Sequence, residues 1–441
     1  MAPSLRQPGK KSGLGIGLDF GTTNSALAVA EPGGKAATLA LFRSSSGPTA
    51  TFRSVAFFGR EEPGAPTESA AGPSAIERYL ELYEERRLLQ SLKSFLASRL
   101  FTRTRVFGRA AELEDLIALI LRTLREEVEE SAGPLGGPVV VGRPVHFAGA
   151  EDADDDAFAA ERLAAALERA GVTEVVFEYE PVAAAYHYEQ GLERDELVLI
   201  ADFGGGTSDF CLMRVGPGLR GQRRGGDDIL GTDGVGIAGD AFDAQLVRNL
   251  VAPRLGKGTR HRGEFGRSLP IPAWIYTDLE RWHHLSFMRS PRTQGVLHDL
   301  LSRAFEPDGI RALIHIVNRE LGYHLYRAVE AAKIALSERP ETTLRFRDPP
   351  AEIEAPVTRA EFEAWIADDV QQIADCVDRL LERAGISASA VDRVFMTGGS
   401  SLVPVVRRLF ERRFGPERIR SGSELTSVAS GLALRALDRI R

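Results

Sequence analysis

Residues 13–30 read GLGIGLDFGTTNSALAVA, and residues 197–215 read LVLIADFGGGTSDFCLMRV. In each stretch two short apolar runs flank a turn of glycine and threonine, a pattern typical of a β-hairpin. The first run carries an aspartate near its end in both cases, Asp19 in one stretch and Asp202 in the other. The second stretch therefore repeats the first, and this repeat predicts a duplicated fold with a cleft between the two copies.

The two turns have the composition of a phosphate-binding site. Glycine has no Cβ, so several backbone N–H groups can approach a phosphate, and threonine hydroxyls can add donors. Asp19 and Asp202 would lie beside the same phosphates, which carboxylates tolerate when Mg²⁺ stands between them. Taken singly, each stretch is equally well explained as an ordinary hairpin turn.

Two other phosphate-binding motifs do not fit the sequence. Neither hairpin contains the GxxxxGK[ST] pattern of a P-loop. The glycines at 13, 15 and 17 precede a second strand instead of opening a helix, which argues against a Rossmann dinucleotide site.

Length and composition exclude several classes of protein. The 441 residues are about three times an average domain of ~150 residues, which predicts two or more cores or one bilobal unit. The 55 Lys and Arg against 62 Asp and Glu give a net charge of −7, which argues against nucleic acid as a partner. The two cysteines, Cys211 and Cys376, indicate neither a disulfide framework nor a zinc site. Without a signal-peptide pattern or an apolar run of ~18 residues, we expect a cytoplasmic protein with no membrane partner.

The remaining segments predict alternating helices and strands. Besides the hairpins, strands are expected at 138–147, 175–179 and 391–396, and residues 40–72 are expected to form loops and weak strands. Helices are expected at 74–100, 112–129, 158–170, 180–191, 310–337, 358–384, 403–414 and 427–441. The change of composition at 254–307, with tryptophan, histidine and basic residues, predicts an inserted subdomain.

In chain order, the segments LGIGLDFGTTNS, VVVGRPVHF, EPVAAAY, LIADFGGGTSDF, GIAGDAFD, AVEAAKIALS, VTRAEFE and VFMTGGSSLVPVV resemble the ATPase part of the DnaK-type 70-kDa heat-shock chaperones. The hairpins are shared with actin, bacterial filament proteins and sugar kinases, whereas GIAGDAFD, AVEAAKIALS and VTRAEFE are more specific to the chaperones. The resemblance implies an α/β protein of the actin-like ATPase fold, with two lobes, an RNase H-like core in each, and a nucleotide cleft between them. Since the chain ends where the ATPase part ends, we expect a short member without the peptide-binding domain.

The resemblance also predicts the boundaries of the two lobes. Lobe I is expected at 1–196, with its core at 13–40 and 108–196 and an inserted subdomain at 41–107. Lobe II is expected at 197–441, with its core at 197–236 and 357–441 and an inserted subdomain at 237–356.

Matched residue by residue, the resemblance implies a complete site for ATP or ADP with Mg²⁺ and K⁺. The cofactor-binding residues would be Gly21, Thr22, Thr23, Asn24, Gly204, Gly205, Gly206, Thr207, Gly239, Glu330, Lys333, Ser337, Gly398, Gly399 and Ser400. The metal would be organised by Asp19, Asp202 and Glu180, and catalysis would involve Lys93, Glu180, Asp202, Thr207 and Asp209.

Several of these residues also have simple structural explanations. Lys93 would suit the solvated face of a helix, and Glu180 the first turn of a helix, where the dipole favours an acid. The spacing of Glu330, Lys333 and Ser337 is also that of a polar helical face.

Two positions depart from the family pattern. Ile334 and Leu402 stand where the family carries arginines near the adenine, so base contacts here would be apolar.

The sequence thus predicts a monomeric, slowly ATP-hydrolysing switch of the chaperone type, with co-chaperones or client proteins as partners. An actin-like filament or scaffold protein and a small-molecule kinase on the same fold remain alternatives. Within 254–315 the histidines His261, His283, His284, His298 and His315 lack a recognisable metal-ligand spacing. Residues 269–287 could form a partner surface, but they are better explained as the small core of the insertion.

Overall fold

The computed structural model describes residues 13–34, 36–81, 85–219, 228–281, 285, 288–422 and 425–440. The strands are β1 Gly15–Phe20, β2 Asn24–Ala30, β3 Ala37–Leu39, β4 Phe52–Arg53, β5 Val55–Arg60, β6 Glu68–Ala71, β7 Glu85–Gln90, β8 Arg103–Val106, β9 Arg109–Glu112, β10 Val139–Arg143, β11 Val175–Tyr179, β12 Glu196–Phe203, β13 Ser208–Val215, β14 Ile229–Val235, β15 Arg260–Arg262, β16 Ser268–Pro270, β17 Glu341–Asp348, β18 Ala351–Thr358, β19 Arg393–Thr397 and β20 Ile419–Ser421. The α-helices are α1 Pro73–Leu80, α2 Leu113–Ala132, α3 Ala153–Arg169, α4 Glu180–Glu189, α5 Gly239–Leu246, α6 Trp274–Glu280, α7 Pro291–Arg303, α8 Pro307–Asn318, α9 Gly322–Glu338, α10 Arg359–Trp365, α11 Ala367–Ala384, α12 Pro404–Phe414 and α13 Ser427–Ile440.

The first large sheet is built around the hairpin of β1 and β2. Its strand order is β11-β10-β1-β2-β3, with β4 also paired to β2. β1 runs antiparallel to β2 and parallel to β10, with Ile16 opposite Val29 on one side and Val139 on the other. This arrangement confirms the hairpin predicted at 13–30 and the buried strand predicted at 138–147.

The second large sheet repeats the same arrangement. Its strand order is β14-β13-β12-β19-β20, and β12 runs antiparallel to β13 and parallel to β19. Asp202 on β12 lies opposite Asp209 on β13 and opposite Thr397 on β19. Because each sheet combines a hairpin with a parallel neighbour of its first strand, the structure confirms the internal duplication.

Helices α4 and α13 pack against each other between the two sheets. Their side chains share one apolar cluster with Val140 of the first sheet and Ile200 of the second. The helix and strand backbones approach closely, because a Cβ on Gly17 of β1 would lie 2.3 Å from the Ala433 nitrogen of α13. Glycine is therefore the residue that lets α13 lie directly on β1.

The helix predicted at 74–100 is wrong beyond its first turns. Helix α1 ends at Leu80, and β7 then pairs antiparallel with β5, with Val55 opposite Gln90. Ser91 has a left-handed backbone with φ of 54°, and residues Leu92–Phe95 form a 3₁₀ turn. Residues 85–90 carry apolar residues at helical spacing, so the sequence predicted a helix there. They form a strand because they pair with β5, which lies in another segment of the chain.

Two further predictions need correction. Residues 310–337 form two helices, α8 and α9, separated by a break at Glu320, whose φ of 53° is incompatible with a continuous helix. Within 40–72, β5 is a well-buried strand, because β6 and β7 pair with both of its edges.

Part of the 254–307 insertion joins the core of the second half of the chain. Ile271, Ile275, Tyr276 and Leu279 belong to the same buried cluster as the strands of the second large sheet. They are therefore core residues, but they belong to this large core and not to the separate small core of the insertion that was predicted. Trp274 is half exposed, and the predicted histidine positions 283 and 284 lie outside the described residues. Within the described part of the chain, no helix combines the length and apolar character needed to cross a bilayer.

Candidate functional site

The tips of the two hairpins face each other across a cleft. A Cβ on Gly205 would lie 2.9 Å from the Thr23 hydroxyl oxygen and 3.3 Å from the Thr22 Cβ. A Cβ on Gly206 would lie 3.5 Å from the Thr22 hydroxyl oxygen. A larger residue at Gly205 would press against the first tip, so this glycine allows both turns to approach one ligand group.

The cleft has a volume of about 480 Å³, in the range typical of small-molecule sites. Of the predicted residues, its walls include Asp19, Gly21, Thr22, Thr23, Asn24, Lys93, Glu180, Asp202, Gly204, Gly205, Thr207, Gly239, Glu330, Lys333, Gly398, Gly399 and Ser400. These residues come from both large sheets and from both inserted segments, so folding brings together what the sequence places hundreds of residues apart.

Three predicted residues do not line the cleft. Gly206 belongs to the hairpin tip but does not line the cleft. Asp209 is buried on β13, where its Oδ1 accepts a hydrogen bond of 2.6 Å from the Val145 backbone N–H. Ser337 lies one turn beyond Lys333 on α9 and donates its hydroxyl to the Lys333 carbonyl at 3.2 Å. A contact between Ser337 and a ligand therefore needs a change of side-chain rotamer.

Lys93 forms a buried ion pair at the centre of the site. Its Nζ lies 2.6 Å from Oε1 of Glu180, and both side chains are at least nine-tenths buried. The 3₁₀ turn that follows β7 carries Lys93 into the cleft, so the alternative of a solvated lysine on a helix is wrong. Glu180 begins α4, as the alternative for that residue predicted, yet its carboxylate also reaches Lys93.

Buried carboxyl groups surround this ion pair. Burial, reinforced by the Glu180 carboxylate and opposed by Lys93, raises the pKa of Asp19 to about 7. Burial and repulsion from Glu180 and Asp19 raise the pKa of Asp202 well above its ordinary value. Burial and Glu180 raise the pKa of Asp209 to about 7, against the Thr207 and Val145 hydrogen bonds. A cation or a cationic ligand in this region would relieve the repulsion.

The same carboxyl groups fit a hydrated Mg²⁺ better than a directly chelated metal. Within the described ranges no group of three or more His, Cys, Asp or Glu side chains converges tightly enough to hold a metal ion. Mg²⁺ usually keeps several waters and takes one or two carboxylates together with phosphate oxygens. Asp19, Asp202 and Glu180 line one cleft with the phosphate-type hairpins, which is the donor set that such an ion needs.

The opposite wall of the cleft is organised by Lys333 on α9. Its Nζ donates to Asp243 Oδ2 at 2.8 Å and to the Gly239 carbonyl at 3.2 Å. A Cβ on Gly239 would lie 2.9 Å from the Ser400 hydroxyl oxygen, so these residues are in close contact. Burial and the Asp243 carboxylate raise the pKa of Asp240 to about 7, while Lys333 opposes the shift.

A glycine turn after β19 forms another part of this wall. Gly398 has φ of 81°, and a Cβ there would lie 2.0 Å from the Phe203 carbonyl oxygen. No other residue tolerates both the backbone angle and the approach. Ile334, Leu402 and Leu425 line the same cleft and are 54%, 56% and 53% exposed, so this end offers an apolar surface to a ligand.

Beside the cleft, contacts between α1 and the start of α9 link the two halves of the chain. The Tyr79 hydroxyl donates to the Glu320 carbonyl, and Glu320 also pairs with Arg289. The Tyr79 and Tyr323 rings meet edge to face with centroids 5.7 Å apart. Tyr323 also lines the cleft, so this bridge between the two halves lies next to the site.

The sequence did not reveal several residues of the cleft. Asp240 and Asp243 lie within GIAGDAFD, so that motif could have indicated them. Arg53 and Gln90 lie in stretches predicted as loop and helix, where no pattern pointed to the cleft. Tyr323, Tyr326 and Arg327 also line it.

The histidines of the insertion form no shared site among the described residues. His298 contacts the Gln294 carbonyl at 2.8 Å, and His315 contacts Asp348 at 2.6 Å. His261 lies on β15, opposite Leu269.

Comparison with known proteins places the chain in a family. A profile of the family described as Hsp70 protein matches residues 93–257 and 314–437, which is more than half of the chain. The chain is 27% identical to the chaperone protein DnaK of Thermus thermophilus, over 96% of this chain and 60% of that protein. It is 26% identical to DnaK of Deinococcus proteolyticus and 25% identical to DnaK of Thermotoga petrophila, over 96% of this chain and 58% and 59% of those proteins.

The chain therefore spans about 60% of the length of these relatives. The family match includes the second hairpin, Lys93 and all of α9. Together with the duplicated sheets and the facing hairpins, it shows that the chain belongs to the Hsp70 family and has the actin-like ATPase fold.

Proposed function

We propose that this chain binds Mg²⁺-ATP in the cleft and hydrolyses it slowly, as the nucleotide switch of a chaperone-type protein. The observation that carries the proposal is the buried pair of Lys93 and Glu180 beside two facing glycine–threonine turns. The relatives are named chaperone protein DnaK, which supports a role of this type.

The hairpin tips would hold the phosphates. Backbone N–H groups of the tips and the hydroxyls of Thr22, Thr23 and Thr207 supply donors, and the Asp240 carboxyl lies close to Gly205 of the second tip. Asn24, Gly21, Gly204, Gly205 and Gly206 complete the two turns. Two turns from different sheets can contact one polyphosphate chain from both sides.

Asp19 and Asp202 would hold Mg²⁺ through its water ligands, with Glu180 nearby. When bound, the ion neutralises charge on the phosphate oxygens and so favours attack on phosphorus. Repulsion among the carboxyl groups contributes to the raised pKa values of Asp19 and Asp202, and a cation held beside them would relieve that repulsion.

Lys93, Glu180 and Asp209 would each have a separate role in hydrolysis. Lys93 Nζ can turn from Glu180 towards the terminal phosphate, because a phosphate oxygen offers a charged acceptor in place of the carboxylate. Glu180 would then be free to orient the attacking water, and Asp209 would hold this water and a K⁺ ion from behind. Catalysis of this kind consists mainly of positioning and charge stabilisation.

The nucleoside would lie between α9 and the glycine turn after β19. Glu330, Lys333 and Ser337 would face the ribose and base from α9, with Gly239, Gly398, Gly399 and Ser400 beneath them. Ile334 and Leu402 would contact the base through apolar surface. Since this contact carries no charge, salt should affect the base end of the site little.

We propose lobe boundaries at 1–196 and 197–441, with inserted subdomains at 41–107 and 237–356. Loss of the terminal phosphate would remove contacts that hold the lobes together, so the nucleotide state would set the angle between them. Co-chaperones or client proteins could sense that angle, and residues 254–307 supply an exposed surface that includes Phe265 and Trp274. We propose a monomer that works in the cytoplasm.

Single-turnover hydrolysis of Mg²⁺-ATP with protein in excess tests the proposal. We expect slow hydrolysis by the native chain and none by Lys93→Ala or by Asp209→Asn, with ADP binding retained. Lys257→Ala is the matched control, because Lys257 pairs with Glu280 away from the cleft.

Three results would contradict the proposal. Hydrolysis by Lys93→Ala and Asp209→Asn at the native rate would reject the assigned catalytic roles. ATP-dependent sedimentation would favour the filament alternative, and phosphate transfer to a small molecule would favour the kinase.

A further inference from the structure

The charges in the cleft are unevenly paired. Lys93 pairs with Glu180, and Lys333 pairs with Asp243. Arg53 and Arg327 line the same cleft, and among the residues that the structure describes neither has a carboxylate within salt-bridge distance. These two arginines are therefore the cations most available to an anionic ligand.

Arg53 is held beside the first hairpin by backbone pairing. β4 pairs with β2 so that Arg53 lies opposite Asn24. The next residue strengthens this connection, because the Ser54 N–H donates to the Thr23 carbonyl at 3.0 Å. Arg53 Nη1 also donates to Asn24 Oδ1 at 3.3 Å. The guanidinium is thus placed next to the residues that would bind phosphate.

The neighbouring side chain anchors this strand from the other face. Phe52 is completely buried and packs edge to face on Phe42, with ring centroids 5.1 Å apart. Successive residues of a strand point to opposite faces, so the burial of Phe52 directs Arg53 away from that core. The side chain of Arg53 is accordingly found in the wall of the cleft.

A second observation points to a polar ligand in this corner. Gln90 lies opposite Val55, two residues after Arg53, and also lines the cleft. It is only 9% exposed, yet its side-chain oxygen Oε1 has no hydrogen-bond partner within the described structure. A buried amide oxygen without a partner is costly unless a ligand or its bound water completes it.

We infer that Arg53 binds the polyphosphate of the nucleotide as an additional contact beside the first hairpin, with Gln90 completing the polar corner. This inference rests on the proposed nucleotide function. An arginine fork donates two parallel hydrogen bonds to a phosphate, which a lysine cannot do. Arg53 would therefore favour nucleotides that carry a polyphosphate over the free nucleoside.

Equilibrium binding of Mg²⁺-ADP and of adenosine to the full chain tests the inference. We expect Arg53→Gln to weaken ADP binding about ten-fold or more, the loss typical of a charge-assisted contact, and to leave adenosine binding unchanged. Arg53→Lys should weaken ADP binding less. ADP affinity should also depend less steeply on salt in Arg53→Gln than in the native chain.

Arg327→Gln is the comparison variant, because it removes the other cleft cation that lacks a carboxylate partner among the described residues, from the opposite wall one turn before Glu330. We expect it to weaken ADP binding less than Arg53→Gln does. Equal ADP affinity in Arg53→Gln and the native chain would overturn the inference. An equal loss of ADP affinity in Arg327→Gln would also overturn it, because the effect would then come from the overall charge of the cleft. An equal loss of ADP affinity and adenosine affinity in Arg53→Gln would overturn it as well. If the native chain binds no adenine nucleotide, the proposed function itself fails, which is a distinct result.

Discussion

At the scale of single residues, the site is a set of buried charges that depend on one another. Lys93 and Glu180 satisfy each other, whereas Asp19, Asp202 and Asp209 share a region where burial disfavours their charged forms. Such an arrangement contributes little to stability, because desolvation offsets the attraction within a buried pair. Its charges instead complement those of a ligand that contains both anionic phosphates and a cation.

Removing one member of the ion pair should be costly. We expect Lys93→Ala to lower the free energy of unfolding by about 3 kcal/mol, because it leaves Glu180 as an unpaired buried carboxylate. The double variant Lys93→Ala/Glu180→Gln should recover part of this loss. Urea unfolding at pH 7 measures both, and a double variant less stable than Lys93→Ala would contradict the explanation.

Asp202 should control the contribution of magnesium to nucleotide binding. In the native chain, we expect Mg²⁺ to increase ATP affinity, and in Asp202→Ala this increase should largely disappear. Calorimetric titration with and without EDTA measures the difference. Asp368→Ala, which removes an exposed carboxylate on α11, should behave like the native chain. Intact Mg²⁺-dependent binding in Asp202→Ala would reject the metal assignment.

Asp240 gives a prediction about pH. Its pKa is raised from 3.8 to about 7 in the fold, so the folded state binds a proton more tightly than the unfolded state. Ionised Asp240 therefore penalises the fold above pH 7, and the penalty fades as pH falls towards 4.

Asp240→Asn should remove this penalty. Without nucleotide, we expect the variant to be more stable than the native chain by on the order of 1–3 kcal/mol at pH 8, with the gain vanishing near pH 4. Thermal unfolding across this pH range measures the gain. A gain that is constant with pH would show that Asp240 does not titrate as described.

At the scale of elements, the sequence predicted those strands and helices whose formation depends on residues close together in the chain. The hairpins of 13–30 and 197–215 were predicted because glycine and threonine turns lie between apolar runs, and α4 was bracketed by Pro181 and Gly191. The strand β7 was predicted as helix because only its pairing with β5 distinguishes the two.

The candidate site shows the same division. The acids of the hairpins were predicted from the repeat, and resemblance suggested Lys93, although its setting on a 3₁₀ turn was not foreseen. Arg53 reaches the cleft through the pairing of β4 with β2, which no pattern within 40–72 encodes. The functional roles of the residues remain predictions that the experiments above decide.

The packing of α13 on α4 leaves no space for a side chain at Gly431. A Cβ there would lie 1.7 Å from the Ala183 carbonyl oxygen. We expect Gly431→Ala to destabilise the chain by about 3 kcal/mol, since backbone atoms must move apart.

Gly295→Ala is the matched control. Gly295 lies within α7 with open space around it, so alanine there should stabilise the chain by about 0.5–1 kcal/mol. Thermal melts compare the two variants, and equal melting temperatures would show that the helices separate without cost.

At the scale of the whole molecule, two sets of contacts join the halves of the chain beside the cleft. Helices α4 and α13 connect the two large sheets through an extensive apolar cluster, and Tyr79, Glu320 and Tyr323 form a second bridge. The second bridge consists of a few polar and aromatic contacts and a small apolar cluster, so it is the weaker of the two. We expect nucleotide release to require its opening.

Tyr79→Phe should accelerate that release. The variant keeps the ring against Tyr323 but loses the hydrogen bond to the Glu320 carbonyl, a net loss of about 1 kcal/mol, or roughly five-fold in rate. Stopped-flow release of a fluorescent ADP analogue measures the rate.

Tyr188→Phe is the control for this experiment, because its hydroxyl bonds Glu196 at 3.1 Å and does not line the cleft. Unchanged release in Tyr79→Phe would show that the bridge does not hold the cleft closed.

The contact between α13 and β1 also fixes when this molecule can finish folding. β1 leaves the ribosome well before the helix that covers it, because α13 lies about 400 residues later in the chain. At about 5–20 residues per second, translation of the intervening chain takes roughly 20–80 s. Throughout that interval the nascent first sheet has an uncovered apolar face, so its completion waits until α13 has been synthesised.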